Sequence, residues 1–219
     1  MRILAALLAA LALDCAAAPT AVRLGAERVV LDAPPGFSDT TQLASPRLNE
    51  LAESLTSASN RILLFAIPDA DLRRFMNGDP LELRRYMIVV TPGGMERERV
   101  SPKLFATFVG DSLRELGPVP KTIDYATHLE TQPPGRASLL AELRREPEVV
   151  SVLQGARLPP QGGYAQKPQY LLSTTTLMLL GGKALSLAVY TAYDGAPDLE
   201  WIKFVTERWV QELLRLNSR

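Results

Sequence analysis

Residues 170–193 hold two apolar runs, YLLSTTTLMLL and KALSLAVYTAY, separated only by Gly181 and Gly182. Two such runs broken by a glycine pair predict two long antiparallel strands joined by a tight turn, because glycine supplies the positive φ that two-residue hairpins need. In the second run Leu185, Leu187 and Val189 alternate with Ala184, Ser186 and Ala188. One face is therefore bulky, and the other is expected to be small enough for a helix to lie close against it. That helix is expected next, in DLEWIKFVTERWVQELLRLN, with Pro197 and Asp198 in its first turn, where proline and a negative charge both suit the terminus.

At about 100° per residue, Ile202, Val205, Trp209, Leu213 and Leu216 form one stripe. Trp209 lies near its middle and is expected in the core, whereas Trp201 lies on its edge. Phe204 falls about 140° from the stripe's centre, and Leu214 similarly far round, so both are expected to face away from the sheet, toward either a partner or the chain's own long loops folded over that face. Trp201, Phe204 and Leu214 are the candidate partner-binding residues, since aromatic side chains left outside a core favour interfaces.

Upstream, a short strand is expected around Arg28 to Leu31, followed by a Pro34-Pro35-Gly36 turn that returns Phe37 to the core. Ser45-Pro46 and Ser101-Pro102 open helices, the first carrying Leu48, Leu51, Ala52 and Leu55, the second Leu104, Phe105, Phe108, Leu113 and Leu116. ILLFAI (62–67) and RRYMIVV (84–90) read as buried strands, and Asp69 as the cap of a short helix bearing Leu72, Phe75 and Met76. Residues 118–136 are proline-rich and read as a long loop, followed by a short helix over Ala137 to Arg145 and a strand from Val149 to Leu153. A second loop is expected over RLPPQGGYAQKPQ.

The amino terminus reads as an export signal. Arg2 supplies a positive start, Ile3 to Leu13 an apolar segment too short for the ~20 residues of a membrane span, and the alanines a cleavage zone after Ala17. Cys15 offers the alternative of a lipoprotein, but the positions where such signals carry leucine and a small residue hold Ala12 and Asp14. The expectation is a signal peptide over residues 1–17 and one domain over 18–219, periplasmic or secreted, without a transmembrane anchor.

Lysine plus arginine equals aspartate plus glutamate at 24 each with no long run of one sign, so no partner of nucleic-acid type is expected. Cys15 is the only cysteine, which removes thiol chemistry if it leaves with the signal. The letters GDSL at 110–113 match the name of a hydrolase family whose serine is a nucleophile. Here, however, Ser112 falls inside an expected amphipathic helix and the sole histidine, His128, lies sixteen residues on, with none near the carboxyl end. His128 with Asp124 and Glu130 is a poor metal set, and Glu96 and Glu98 sit among arginines. No metal or cofactor and no enzymatic activity are expected. A serine hydrolase using Ser112 and a small-ligand carrier with a cleft between sheet and loops are the alternatives.

PPGFSDT after the early strand, LAVYTAYD at the end of the late strand pair, and the final helix together resemble the PsbP-like superfamily, and within it small secreted bacterial proteins. The resemblance spans most of residues 28–217 and is strongest over 173–217; the proline-rich 118–136 segment departs from it. It implies an α+β domain, an antiparallel sheet flanked by helices, with no catalytic residues to carry over. Family members with known roles bind other proteins: one is an extrinsic subunit of photosystem II, another a nuclear-transport factor that engages the GTPase Ran. The expected function is thus a non-catalytic protein that binds or stabilises another envelope protein.

Overall fold

At the glycine pair the backbone takes φ of +57° at Gly181 and +79° at Gly182, a left-handed turn that glycine enters without steric cost. It joins β8 (Tyr170–Leu180) to β9 (Lys183–Ala192), paired antiparallel from Leu171↔Ala192 to Leu180↔Lys183. The computed structural model describes residues 19–121, 124–160 and 168–218. Upstream run β1 (Thr20–Leu24), β2 (Glu27–Leu31), β3 (Phe37–Asp39), α1 (Pro46–Ser54), β4 (Asn60–Pro68), α2 (Asp69–Met76) and β5 (Arg85–Pro92). Then come α3 (Pro102–Leu113), α4 (Tyr125–Glu130), β6 (Ala137–Glu146) and β7 (Val149–Arg157), and α5 (Ala196–Asn217) follows β9. Seven strands form one sheet in the order β3-β4-β5-β9-β8-β7-β6, every neighbour antiparallel, while β1 and β2 form a separate ribbon. The fold is α+β, a single antiparallel sheet with helices on both faces and a long C-terminal helix packed on it. Among the described residues no helix is long and apolar enough to cross a membrane.

The two faces bury different helices. Leu185, Leu187 and Val189 share a core with Ile202, Trp209, Val210 and Leu213 of α5, with Leu129 of α4 and with Leu24, Val29 and Leu31 of the ribbon. On the reverse face α1 sets Leu48 and Ala52 among Phe65, Ile67, Ile88 and Ala188, and α3 sets Phe105 and Val109 among Val150, Leu177, Leu179 and Ala184. The expectation that α5 lies on the small face is therefore corrected. It lies on the bulky one, where pairing a large apolar stripe with large side chains removes most area from water. The small face admits α1 and α3 instead.

Residues 137–146 are a strand and not the expected helix. Two register shifts, between Leu139 and Ala141 and between Glu142 and Arg144, leave Leu140 and Leu143 out of the pairing with β7. Both pack toward the α5 core. A bulge advances the side-chain alternation by one residue, so two bulges bring inward residues to a spacing of three, which imitates a helix. Conversely, the expected loop at 118–136 contains α4, started by Asp124, whose carboxylate accepts from the Thr127 N–H at 3.2 Å. Asp69 is not the cap of α2. Pro68 holds that position, and the Asp69 carboxylate accepts instead from the Ser38 hydroxyl at 2.6 Å. Ser101 does cap α3, accepting from the Leu104 N–H at 3.2 Å.

Candidate functional site

The amino-terminal half of α5 carries the most exposed aromatic surface of the described chain. Proline and Asp198 open the helix as the sequence suggests, and the Asp198 carboxylate accepts from the Asp194 N–H at 3.0 Å and from Arg85 at 3.1 Å. Arg85 projects from β5 and lays its guanidinium over Trp201, 4.0 Å from the ring centroid. On the other side Phe37, returned by the Pro34-Pro35-Gly36 turn, lies with its ring centroid 6.1 Å from that of Trp201. Trp201 is therefore a half-buried shelf held by a cation and a second ring, not a free side chain.

One turn on, Phe204 is 62% exposed. The Arg208 guanidinium sits 5.5 Å from its ring centroid, an i,i+4 contact that restrains an otherwise free ring. Leu214 behaves differently from Phe204, and its expected outward placement is corrected: it is half-buried and packs against the core. The ribbon is the reason. β2 meets the carboxyl-terminal half of α5, where the Asn217 side chain accepts from the Val30 N–H at 2.9 Å and donates to the Val30 carbonyl at 2.8 Å. More of the helix circumference is covered there than the five-residue stripe requires. Trp201 and Phe204 are brought together; Leu214 is not part of their surface.

Trp209 is core, 2% exposed, and its indole N–H donates to the Asp32 carbonyl at 2.7 Å. Thr206, which the stripe omitted, is buried beside it and shares a hydrogen bond of 2.6 Å with Thr174 of β8. Asp32 sits at the end of the ribbon. Burial pushes its carboxyl above the ordinary value, the Ala33 N–H pulls it back, and the negative charges of Glu212 and Asp39 add to the rise. A carboxyl whose pKa is raised by folding contributes stability below its unfolded pKa and loses it as pH rises through the folded value. Asp32→Asn is therefore expected to melt higher than the parent at neutral pH, with the gap closing below the ordinary value of 3.8. Thermal melts across that range check it; an equal or lower melting point at neutral pH would show that the carboxylate is better accommodated than its surroundings imply.

Other candidates are arranged without convergence. Ser112 is exposed on α3, while His128 is on α4, against the opposite face of the sheet. Asp124 is used as a cap, the Glu130 carboxylate accepts from the Tyr170 hydroxyl at 2.9 Å, and Glu96 pairs with Arg61. Among the described residues no group of three or more His, Cys, Asp or Glu is placed to hold a metal ion. A cavity of about 170 Å³ lies between α5 and the β6–β7 edge, lined by Leu143, Ser151, Lys203, Thr206 and Glu207. Its hydroxyls are already paired, Ser151 with Thr176 at 2.8 Å and Thr206 with Thr174, and it is small beside the ~300–1,000 Å³ of ligand pockets. It also lies between sheet and helix, not between sheet and loops.

No protein-family model matches this chain, and no curated protein matches it. Two solved structures do. The Saccharomyces cerevisiae Ran-binding protein Mog1p is 14% identical, with a TM-score of 0.39, over 90% of this chain and 93% of that one. A point mutant of protein Mog1 is 13% identical, with a TM-score of 0.40 and the same coverage. The expected place among small secreted bacterial members of the PsbP-like superfamily is thereby corrected: the structures similar to this chain are of a Ran-binding protein, and no family model assigns it. The expected periplasmic or secreted location is corrected on the same finding. The residues that suggested it, 1–17 with Cys15, lie outside the described ones.

Proposed function

We propose that this chain is a non-catalytic domain that binds another protein through the outer face of α5, at Phe204 and the adjoining shelf of Trp201. Phe204 is the observation that carries the reading. A phenylalanine 62% exposed on a helix whose other aromatic residues are packed leaves apolar area in water that a partner would cover. Arg208 over its ring and Arg85 over Trp201 hold both aromatics in place before any partner arrives, which lowers the ordering cost of association. Aromatic and arginine side chains are also the residues in which interface energy concentrates. The separation of Ser112 from His128 by the sheet speaks against the hydrolase alternative, because a serine without a base is a weak nucleophile.

Phe204→Ser is expected to change stability by no more than the ~0.5 kcal/mol typical of surface changes, leaving the melting temperature nearly unchanged, and to abolish recovery of a protein captured on the tagged wild-type chain. A destabilisation as large as that of Trp209→Ala would show Phe204 to be structural and end this reading. Labelling by a serine-reactive fluorophosphonate that disappears in Ser112→Ala would favour the hydrolase instead.

A further inference from the structure

The β1–β2 ribbon places two arginines directly opposite each other. Arg23 pairs with Arg28 across the ribbon, and both side chains are exposed. The backbone N–H and carbonyl of Val30 are both engaged by Asn217, so the Ala21↔Val30 pair does not exchange hydrogen bonds. Two residues along, Arg23↔Arg28 has the same parity, and the Arg23 carbonyl accordingly points outward, to Arg61 at 3.4 Å. Pairs of this type bring Cα atoms to about 4.5 Å and side chains closest together, and like charges so placed destabilise a ribbon. Among the described residues neither guanidinium has a hydrogen bond or ion pair. Three other exposed arginines do stand beside carboxylates, Arg74 by Asp71, Arg114 by Asp111 and Arg215 by Glu212, each at 2.5 Å.

The surroundings reinforce the positive charge. Arg97 is exposed on the loop that presses on the ribbon's turn, where a Cβ at Gly25 would stand 3.0 Å from the Arg97 carbonyl. Arg61 and Arg99 are nearby but paired, with Glu96 and Glu27 respectively, and Glu98 is exposed on the same loop. Lys183 is buried, its ammonium donating to the Glu96 and Glu98 carbonyls at 3.2 and 2.6 Å, so it is spent within the fold.

We propose that the outer face of this ribbon binds an acidic segment of a partner protein, whose carboxylates bridge Arg23 and Arg28 and relieve their repulsion. A guanidinium fork matches a carboxylate in two parallel hydrogen bonds, and Ala21 and Val30, on the same outward face, give an apolar neighbour to the segment's side chains. A nucleic-acid backbone or an anionic membrane fits less well. Each presents continuous negative charge, which the rim of Glu27, Glu96 and Glu98 would meet unfavourably, whereas a polypeptide can space its carboxylates. This surface is separate from that of Phe204.

The test is fluorescence anisotropy of a labelled short peptide in which glutamate alternates with alanine, with the full chain at ~0.15 M salt. The wild type is expected to bind, and Arg23→Gln with Arg28→Gln to weaken binding about tenfold or more. The melting temperature of that variant is expected to hold or rise, since repulsion is removed; a purely structural pair would not behave so. Arg74→Gln with Arg114→Gln removes the same charge elsewhere and is expected to leave the affinity unchanged. Three results would overturn the proposal: no binding by the wild type, equal loss in both double variants, or tighter Arg23- and Arg28-dependent binding of oligothymidylate or phosphatidylserine vesicles. Phe204→Ser is expected to leave peptide affinity intact, so the two surfaces stand or fall separately.

Discussion

Trp209→Ala is expected to lower stability by about 3–5 kcal/mol, the range of large aromatic deletions in cores. The ring is 2% exposed, in a cluster that joins α5, the bulky face of the sheet and the ribbon. Its loss leaves a cavity at the meeting point of three elements, so no single side chain can relax into it. It also takes from the Asp32 carbonyl a donor at 2.7 Å, and a carbonyl left without a partner in a partly buried place adds to the loss. Trp209→Phe separates the two contributions, restoring most of the volume but not the N–H. Denaturant unfolding, with the midpoint falling and the slope unchanged, checks both; a loss below ~1 kcal/mol for Trp209→Ala would place this residue outside the cooperative core.

Gly155→Ala is the second large effect. Gly155 lies mid-strand in β7, where a Cβ would stand 2.8 Å from Leu129 Cδ1 and 2.8 Å from Leu140 Cδ1, with Leu129 Cδ2 at 3.1 Å. Leu129 is 0% and Leu140 1% exposed, so neither leucine can swing into solvent and the methyl has to displace their side-chain ends within the core. Overpacking of that kind costs about 1–3 kcal/mol. Leu129→Ala alone is expected to lose about 2–5 kcal/mol, but the double variant should lose clearly less than the sum, because the added methyl fills part of the space. Additive losses would mean that the two residues do not meet.

Gly155 also shows why part of the fold escaped the sequence. A glycine inside an apolar strand signals a close approach by another element, and that element is α4, hidden in a segment whose prolines read as loop. The β8–β9 hairpin and the helices opened by Ser45-Pro46 and Ser101-Pro102 were legible because turn chemistry and periodicity agreed there. β6 was not, since its two bulges turned a period of two into one near three. At the site, the outward direction of Phe204 followed from its angle on α5, but that the loops leave it 62% exposed did not. The covering of Leu214 depended on where a ribbon from the other end of the chain comes to rest, and no local pattern contains that. Thr206 was missed because a threonine in an apolar stripe is acceptable only with a partner, and Thr174 is 32 residues away. The opposition of Arg23 and Arg28 becomes readable once Gly25 is seen as a hairpin turn, its φ being +58°.

The clasp of Asn217 on Val30 spans 187 residues, and its consequence is temporal. The carboxamide presents an N–H and a carbonyl to the outer edge of β2 as a neighbouring strand would, yet it belongs to the last turn of the last helix. During synthesis the ribbon emerges before α5 and must wait for the 187 residues from Val30 to Asn217 before that edge is closed. Until then it is a short two-stranded hairpin, marginal by itself in water, with an unpaired edge open to other chains. Closing so long a loop is paid for before any reward arrives. The outer edge of β2 should thus be the last part of the ribbon to be closed and the first to reopen when the end of α5 frays.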